Sequence, residues 1–511
     1  MQDYPLLVRH VAERAEQVYP DRELVTRTAT GTERSTYREV VQRARRLASA
    51  LTEFGIKPGD RVATFAWNSI RHLELYLAVP SMGAVLHTLN IRLFEDDLRY
   101  IVEHADDKVI FLDATLAGLM PKFAGDIPEI LMPDGPGERE GATGYEDFLA
   151  GGDPGFQFPD LDENSAAAMC FTSGTTGKPK GVVYSHRSTV LHSLVASLPD
   201  NLNIHESDSM MPIVPMFHVN AWGIPYAAAL NGARQVFPGP KMDPASVAEM
   251  IVEEKVTRTA GVPTIWNGIL QLDPKPDFSS VEEIIVGGSA VSETLLRAYD
   301  EQMETRIVQA WGMTETSPIG LVSRIPAGAG ELSKDEEYAI RSAQGRAVPL
   351  VDVRIDEEAG GELQVRGPWI ARDYFDDPEP GGKFTEDGWL RTGDVARYEE
   401  FGIVKLVDRT KDLVKSGGEW ISSVELENEI MAHPDVLEAA VIAVPDEKWD
   451  ERPCACIVLR EGTDLSGDAV REFLEPRVAK WWIPERIEFI AEVPKTSVGK
   501  FDKKVLRAQF T

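Results

Sequence analysis

Residues 172–182 carry the side chains with the clearest chemistry in this 511-residue chain. The stretch reads Thr172-Ser-Gly-Thr-Thr-Gly-Lys-Pro-Lys-Gly-Val182. Its glycines allow positive φ angles and expose successive backbone N–H groups. The hydroxyl groups add further donors, and Lys178 and Lys180 add positive charge. Such a loop suits a polyphosphate.

The loop differs from the common P-loop motif. Pro179 stands five residues after Gly174, where the pattern G-x-x-x-x-G-K-[ST] requires glycine. Taken alone, a loop of Gly, Ser and Thr is as typical of a flexible connector as of a phosphate site. Motifs elsewhere in the chain must therefore decide between the two interpretations.

The elements that would position this loop alternate along most of the chain. Short apolar runs predict buried strands at residues 61–66, 108–112, 166–171, 210–214, 234–237, 283–286 and 306–310. Helical spacing of apolar residues occurs between them, as in residues 38–54 and 244–255. This alternation predicts an α/β architecture with largely parallel sheets, in which the loop follows a buried strand.

The pattern changes in the second half of the chain. Residues 361–408 show shorter alternating strands with a turn near Gly402, whereas residues 134–159 are rich in Gly, Pro and acidic residues and predict a surface excursion. A charged segment with two glycines at residues 408–418 marks a domain boundary. We predict an N-terminal domain at residues 1–408, a hinge at 409–412 and a C-terminal domain at 413–511.

The C-terminal part begins a fresh α/β pattern. Ser423–Met431 reads as a helix with Ser422 or Ser423 as its N-cap. Strands are predicted at residues 437–444 and 454–459, and a further helix at 468–476.

Composition excludes several function classes. Asp and Glu number 83 against 53 Lys and Arg, so a formal charge of −30 would repel nucleic acid and anionic membranes. No apolar run is long enough to cross a bilayer, and the N-terminus lacks a signal peptide pattern, which predicts a cytoplasmic protein. Three cysteines offer neither a disulfide framework nor a zinc site. A salt-adapted source and an ordinary acidic cytosolic enzyme both explain the charge.

Seven further motifs occur in order along the chain. They are Phe217-His-Val-Asn-Ala-Trp222, Val286-Gly-Gly-Ser-Ala290, Ala310-Trp-Gly-Met-Thr-Glu315, Gly361-Glu-Leu-Gln-Val-Arg-Gly367, Asp387-Gly-Trp-Leu-Arg-Thr-Gly-Asp394, Asp408-Arg-Thr-Lys-Asp412 and Pro494-Lys-Thr-Ser-Val-Gly-Lys500. Together they resemble the adenylate-forming superfamily of acyl-CoA synthetases, peptide-synthetase adenylation domains and luciferases. The likeness is closest to medium- and long-chain fatty acyl-CoA synthetases of bacteria and archaea, which share the elements at 218–222 and 415–420.

The resemblance implies a fold and a two-step reaction. The fold is a large N-terminal α/β domain of several subdomains, with parallel sheets plus a distorted β-barrel, and a small mobile C-terminal α+β domain. A carboxylate attacks the α-phosphate of ATP, releasing pyrophosphate and forming an acyl-adenylate. The thiol of coenzyme A then displaces AMP. ATP, Mg²⁺ and coenzyme A are thus the implied cofactors, and a homodimer is common among such ligases.

The resemblance also implies roles for particular residues in the first step. Glu315 would bind Mg²⁺, Thr314 would contact the phosphates, and Lys500 would span the carboxylate and the α-phosphate. Asp394 would accept hydrogen bonds from the ribose, with Arg409 nearby. The remaining nucleotide contacts would come from the phosphate loop and the adenine pocket, namely Thr172, Ser173, Gly174, Thr175, Thr176, Gly177, Lys180, Gly288, Ser289, Ala290, Trp311 and Gly312.

At three further positions the chain either departs from the family or allows a competing structural interpretation. Trp311 would stack on the base, although many relatives carry tyrosine there and polar contacts of the phenol are lost. His218 would position the substrate carboxylate, which is already ionised at neutral pH and needs no general base; the alternative is a buried packing residue. Trp222 would gate the acyl tunnel or simply pack in the core.

The second step would use the C-terminal domain. Lys411 matches the hinge position about which that domain reorients between the two half-reactions. The turn would bring a glycine-containing segment to the coenzyme A channel, namely Lys415, Ser416, Gly417, Gly418, Glu419 and Trp420.

The acyl substrate and the acceptor stay open. We expect a medium-chain fatty acid, with long-chain, short thio-substituted and aryl acids as alternatives. Other functions in the same superfamily are transfer to a free acyl carrier protein, a luciferase that oxidises its adenylate, and a catalytically silent nucleotide binder. Retention of Lys180, Glu315, Asp394, Arg409 and Lys500 argues against the silent binder.

Overall fold

The computed structural model describes residues 1–121, 127–172, 178–358, 360–377, 382–417, 419–446, 448–495 and 501–511. The strands of its first two sheets are β1 Glu23–Arg27, β2 Thr32–Thr36, β3 Arg61–Phe65, β4 Val85–Thr88, β5 Asp107–Asp113, β6 Glu129–Met132, β7 Thr143–Gly144, β8 Ala166–Phe171, β9 Gly181–Ser185, β10 Ser209–Pro212, β11 Arg234–Phe237, β12 Arg258–Gly261, β13 Glu283–Val286, β14 Arg306–Gly312, β15 Ile319–Val322 and β16 Arg346–Ala347.

Helices lie before, between and after these strands. They are α1 Val8–Val18, α2 Tyr37–Phe54, α3 Ile70–Ser81, α4 Glu95–Ala105, α5 Tyr145–Ala150, α6 His186–Ala196, α7 Ile224–Asn231, α8 Pro244–Glu253, α9 Pro263–Ile269, α10 Glu293–Gln302, α11 Lys334–Ser342, α12 Ser423–Met431, α13 Gly467–Leu474 and α14 Lys503–Phe510.

Two largely parallel sheets form the N-terminal part. One has the order β7-β6-β5-β3-β4-β8-β9, in which only the edge strand β9 runs antiparallel among the described ladders. The other has the order β16-β15-β14-β13-β12-β10-β11-β1-β2, with a parallel centre from β14 to β1. The predicted α/β class is confirmed, and a strand occurs at each of the seven predicted apolar runs.

Helix α2 illustrates why the local sequence folds as it does. The Thr36 hydroxyl accepts the Glu39 N–H, and the Glu39 carboxylate accepts the Thr36 N–H, a capping box. Gly55 ends the helix at φ 104°, a conformation that glycine adopts without a steric penalty. The apolar face, which includes Val40 and Leu47, is fully buried against the core.

A third sheet is antiparallel and lies in the stretch where the sequence predicted shorter alternating strands. Its order is β17-β18-β19-β20, with the strands β17 Asp352–Asp356, β18 Glu362–Arg366, β19 Leu390–Tyr398 and β20 Val404–Arg409. The turn between β19 and β20 contains Glu400–Gly402, where the sequence predicted it.

The C-terminal part has its own sheet and core. Its strands are β21 Val414–Ser416, β22 Glu419–Ile421, β23 Val436–Asp446, β24 Asp450–Leu459 and β25 Arg486–Phe489, in the order β22-β21-β24-β23 with β25 parallel to β24. Alternate residues of β23 face opposite sides: Val441 packs in the cluster of α12, and Ile442 in the cluster of α14. The predicted helix Ser423–Met431 is present, with Ser422 as its N-cap.

One expectation needs correction. Residues 134–159 are not merely a surface excursion, because they contain β7 and α5. Tyr145 of α5 is fully buried, and its hydroxyl donates to Glu74 Oε2 at 2.6 Å. A Cβ on Gly137 would clash with the Ala114 carbonyl oxygen, so the chain at Gly137 packs tightly against the residues that follow β5. Glycine at this position permits that close approach.

Two other properties follow from the described residues. The three cysteines, Cys170, Cys454 and Cys456, are buried and free. In the part of the chain that the structure describes, no helix has the length and apolarity needed to cross a membrane.

Candidate active site

A cavity of about 1000 Å³ lies at the carboxyl ends of three parallel strands. Thr172 follows β8, Gly287 and Gly288 follow β13, and Trp311 and Gly312 end β14. Clefts at the carboxyl ends of strands in open α/β sheets are the usual ligand sites of this architecture. Residues of the third sheet and of the segment 409–411 also line the cavity.

The cavity brings together most of the described residues that the sequence singled out. Those lining it are Thr172, Lys180, His218, Trp222, Gly288, Trp311, Gly312, Thr314, Glu315, Arg409 and Lys411. Ser289 and Ala290 are exposed and do not line it, because the chain turns away after Gly288 at φ 86°. Seven predicted residues lie outside the described part of the chain, namely Ser173, Gly174, Thr175, Thr176, Gly177, Gly418 and Lys500.

The cavity wall is richer in basic side chains than the protein as a whole. Its basic lining residues are Lys178, Lys180, Lys383, Arg391, Arg409 and Lys411, against the acidic Glu315, Glu362, Asp376 and Asp377. The chain carries a formal charge of −30, so this wall reverses the local balance of charge. Such a reversal favours an anionic ligand.

Glu315 is buried and held by its neighbours. It lies in a short 3₁₀ helix, Thr314–Thr316, just after β14. The Tyr374 hydroxyl donates to Glu315 Oε1 at 2.6 Å, and the Ala371 N–H donates to the Glu315 carbonyl at 2.7 Å. Burial raises the pKa of Tyr374, and the neighbouring Glu315 carboxylate raises it further, so the phenol stays a donor. The carboxylate is therefore fixed in orientation.

Lys180 contacts the same tyrosine. Its ammonium nitrogen lies 4.9 Å from the centre of the Tyr374 ring, and 2.7 Å from Asp377 Oδ2. The neighbouring Lys178 ammonium lies over the Tyr100 ring at 4.6 Å. Aromatic faces attract cations, so the two lysines are held at the cavity wall by electrostatic contacts.

Asp394 lies behind the cavity wall with its carboxylate held on both oxygens. The indole N–H of Trp311 donates to Oδ2 at 3.0 Å, and Arg409 Nε lies 3.4 Å from Oδ1. The Asp394 N–H donates to Thr392 Oγ1 at 3.1 Å. Asp394 is only 8% exposed, so these contacts set the direction of its remaining lone pairs.

The segment that carries Trp222 has an unusual backbone. The four residues of Val219–Trp222 all have positive φ, at 37°, 53°, 48° and 58°, and Gly223 follows at 70°. For non-glycine residues this left-handed conformation costs about 1 kcal/mol or more each. Cys170 Sγ donates to Asn220 Oδ1 at 2.7 Å, and Trp222 faces the backbone of Gly287. The strained turn places the indole of Trp222 in the cavity wall.

The predicted coenzyme A segment lies elsewhere in the described structure. Lys415, Gly417, Glu419 and Trp420 are exposed and do not line the cavity. Ser416 is buried and accepts a hydrogen bond from Arg452 Nη1 at 3.1 Å. These residues form the β21–β22 hairpin of the C-terminal domain.

The junction between the two domains is a buried charged network. Asp408 Oδ2 accepts the Ser423 N–H at 2.5 Å, and the Lys503 ammonium lies 2.7 Å from Glu427 Oε1. Burial alone would lower the pKa of Lys503, but the surrounding carboxylates Glu427, Asp408 and Asp412 raise it above its ordinary value. On the other side, the Thr410 N–H donates to the Gly393 carbonyl at 3.0 Å. The segment 408–412 thus contacts both domains.

Sequence reasoning missed several lining residues. Tyr374 and Asp377 lie in the stretch Asp373-Tyr-Phe-Asp-Asp377, whose aromatic and acidic composition was a signal that we did not use. Tyr100 and His104 come from α4, far from any motif, and no local pattern marks them.

The fold and the cavity together define an α/β protein with an anion-favouring site at its strand ends. The profile of the AMP-binding enzyme family matches residues 12–375, and that of the AMP-binding enzyme C-terminal domain matches residues 425–500. The chain therefore belongs to the AMP-binding enzyme family.

Relatives and solved structures agree with this assignment. The chain is 42% identical to a medium-chain-fatty-acid–CoA ligase of Ectopseudomonas oleovorans, over 99% of this chain and 96% of the relative. It is 44% identical to a long-chain-fatty-acid–CoA ligase of Thermus thermophilus, over 100% and 96%. A crystal structure of ATP-bound MatB from Rhodopseudomonas palustris superposes with a TM-score of 0.84 at 28% identity, covering 98% of this chain and 99% of that one.

Proposed function

We propose that the protein is an AMP-forming acid–CoA ligase that activates a fatty acid with ATP and transfers the acyl group to coenzyme A. The observation that carries the proposal is the convergence of separate motifs on one cavity: Lys180, Glu315 and Arg409 line it, and Trp311 links it to Asp394. The similarity to fatty-acid–CoA ligases over almost the whole chain supports the same conclusion.

The first step must bring two anions together. Two like charges about 4 Å apart repel by about 4 kcal/mol at an effective dielectric of 20. Cations and oriented donors on the developing charge lower this cost. The basic cavity wall would supply them: Lys180 and Thr172 line the cavity and would lie beside the β- and γ-phosphates, and Thr314 would contact the phosphates next to them.

Mg²⁺ fits the carboxylate of Glu315. A hard cation prefers oxygen ligands, and Mg²⁺ in such sites commonly uses one or two carboxylates plus phosphate oxygens. Tyr374 occupies Oε1 of Glu315, which leaves Oε2 with a fixed direction for a cation. When bound, Mg²⁺ would neutralise charge on the phosphate oxygens.

The nucleoside end of ATP would occupy the region around Trp311. The indole face would stack on adenine beside Gly288 and Gly312, and Asp394 would accept from the ribose hydroxyls with Arg409 nearby. Glycine at 288 suits this position, because its φ of 86° is strained for other residues.

The acyl end would lie at the apolar part of the wall. Leu202, Val219 and Ile319 line the cavity there. His218 would position the carboxylate without acting as a base, and Trp222 would gate the entrance to the acyl tunnel. We propose a medium-chain fatty acid as the preferred substrate.

The second step would require the C-terminal domain to turn about Lys411. In the adenylating arrangement Lys500 would contact the carboxylate and the α-phosphate. Rotation of residues 413–511 relative to residues 1–408, through the hinge 409–412, would replace it with the segment 415–420 next to coenzyme A. We further propose a cytoplasmic enzyme, and a homodimer that light scattering after size exclusion would reveal.

The decisive experiment measures coenzyme A-dependent AMP release with saturated fatty acids from acetate to palmitate, at low and high salt. A maximum at one chain length, dependent on Mg²⁺, supports the proposal and locates the end of the tunnel. Pyrophosphate release without thiol consumption would indicate another acceptor. No release with any fatty acid, but release with a thio-substituted or aryl acid, would overturn the fatty-acid assignment.

A further inference from the structure

We propose that Trp311 is a positioning residue for the ribose of ATP as well as a stacking surface, because its indole N–H orients the carboxylate of Asp394. This inference rests on the proposed function, since it assumes that the cavity binds ATP with its ribose near Asp394. The face of the indole ring would stack on adenine, and its N–H would orient the Asp394 carboxylate.

Packing against the protein restricts the orientation of the Trp311 indole ring. Trp311 is 9% exposed and lies at the end of β14, where the pairing with β15 becomes irregular. A Cβ on Gly320 would lie 2.7 Å from the six-membered ring of the indole, so the ring packs directly on the backbone of β15. This close packing against β15 restricts the ring and therefore the direction of its N–H.

The indole N–H contacts one oxygen of the Asp394 carboxylate, and Arg409 approaches the other oxygen. Trp311 Nε1 donates to Asp394 Oδ2 at 3.0 Å, while Arg409 Nε approaches Oδ1 at only 3.4 Å. The Arg409 side chain is 46% exposed, whereas that of Asp394 is 11% exposed. The indole is therefore the shorter and better protected of the two contacts, and it decides the rotation of the carboxylate.

Other aromatic side chains would not perform both tasks. Phenylalanine has a stacking face but no donor, and the donor of tyrosine lies at the far end of its ring. Removal of the N–H would let the carboxylate rotate, and the ribose hydroxyls would lose a preorganised acceptor. A hydrogen bond to a charged group is strong enough for this loss to appear in nucleotide affinity.

The test compares Trp311→Phe with wild type in ATP–pyrophosphate exchange, using ATP, 2′-deoxyATP and 3′-deoxyATP. We expect KM for ATP to rise about tenfold with kcat changed far less. We also expect the preference for ATP over at least one deoxy analogue to fall about tenfold, because a misoriented carboxylate no longer accepts a well-aligned hydrogen bond from the ribose hydroxyl. Equal increases in KM for all three nucleotides would overturn the proposal and leave Trp311 with stacking alone.

Two further variants keep the test decisive. Trp369→Phe is the matched control, because its buried indole donates to the Ile319 carbonyl at the same 3.0 Å and does not contact Asp394. It should leave the nucleotide preference unchanged; a change equal to that of Trp311→Phe would contradict the proposal. Asp394→Ala combined with Trp311→Phe should lower ATP affinity no more than Asp394→Ala alone, because the indole N–H acts through the Asp394 carboxylate.

Failure of the proposed function gives a different result. Wild-type protein that catalyses no exchange with any acid, while binding none of the three nucleotides, would refute the ATP site itself. Wild-type exchange with an unchanged preference in Trp311→Phe would refute only the positioning role.

Discussion

The cavity wall of the large domain and the β21–β22 hairpin of the small domain hold their polar side chains in opposite ways. In the cavity wall, Glu315 and Asp394 are buried, and each receives a hydrogen bond from an aromatic side chain, Tyr374 or Trp311. On the hairpin, Lys415 and Trp420 are exposed, and Trp420 retains 54% of its surface. One region is oriented by its own protein neighbours, whereas the other presents side chains to solvent.

The difference suggests that the two regions serve different half-reactions: the cavity wall the formation of the adenylate, and the hairpin the transfer to coenzyme A. Charge stabilisation in the first step needs donors and cations already fixed in place, because reorganisation during the reaction raises the barrier. The hairpin would become part of a site only after the small domain has moved. Contacts with coenzyme A and with the large domain would then fix the side chains of the hairpin. The function of the hairpin would therefore depend on movement about the proposed hinge.

The largest effect should come from removing a charged side chain of the cavity wall. Glu315→Gln keeps the acceptor for the Tyr374 hydroxyl but removes the charge. We expect adenylate formation, measured as ATP–pyrophosphate exchange, to fall about 10²- to 10³-fold. Glu293→Gln, at an exposed pair with Arg297, is the control and should retain wild-type exchange. Normal exchange in Glu315→Gln would remove Glu315 from the site.

Acid should destabilise the two domains unequally. Burial lowers the pKa of His72 to about 4 and that of His192 to about 3, from 6.5, and both lie in the large domain. Between pH 6.5 and 4 these two imidazoles are therefore protonated in the unfolded chain but stay neutral in the folded domain. The free energy of unfolding should fall by up to about 3 kcal/mol for each histidine as the pH drops through this range.

The small domain contains no fully buried histidine among its described residues. Its one histidine, His433, is partly exposed. Burial raises the pKa of Asp408 and Glu427 at the junction, so the folded state binds protons there first and acid does not destabilise it through them. Hydrogen exchange followed by mass spectrometry at pH 7 and pH 4.5 should show protection lost first in residues 1–408. Equal loss in both domains would contradict this assignment.

The hinge can be tested by separating the half-reactions. Lys411→Pro restricts φ at a position in the segment that contacts both domains. We expect thioester formation to fall about a hundredfold, roughly 2.7 kcal/mol, while ATP–pyrophosphate exchange stays within a few-fold of wild type. Lys411→Ala, which leaves φ free, should support both reactions. Equal loss of both in the proline variant would refute the hinge.

The smallest effect should sharpen the role of Tyr374. Tyr374→Phe keeps the ring below Lys180 but removes the donor to Glu315. We expect about a tenfold loss of exchange, with a higher Mg²⁺ concentration needed for half-maximal rate. Tyr338→Phe removes a tyrosine-to-carboxylate contact of 3.0 Å to Asp300, which does not line the cavity, and should leave exchange unchanged. An equal effect in both variants would indicate loss of stability only.

Sequence patterns predicted the layout of the large domain because its elements obey local rules. Strand β13 was predicted with its observed bounds, since three consecutive apolar residues, Ile284 to Val286, suit a buried parallel strand. Helix α12 was predicted with its bounds because Ser422 caps an apolar helical repeat. The segment 134–159 was mispredicted, because composition alone does not reveal that Gly137 packs closely against Ala114 or that the segment contains β7 and α5.

The sequence by itself determined which motifs occur, their order, the alternation of strands and helices, and the family that they resemble. Only the tertiary structure decided the contacts between them. Trp311 and Asp394 are 83 positions apart, and Glu315 and Tyr374 are 59 apart. The left-handed turn at Val219–Trp222 likewise has no local signal, since three of its residues rarely adopt positive φ. Periodicity records which face of an element is buried, whereas hydrogen bonds between distant side chains depend on how whole sheets and loops come together.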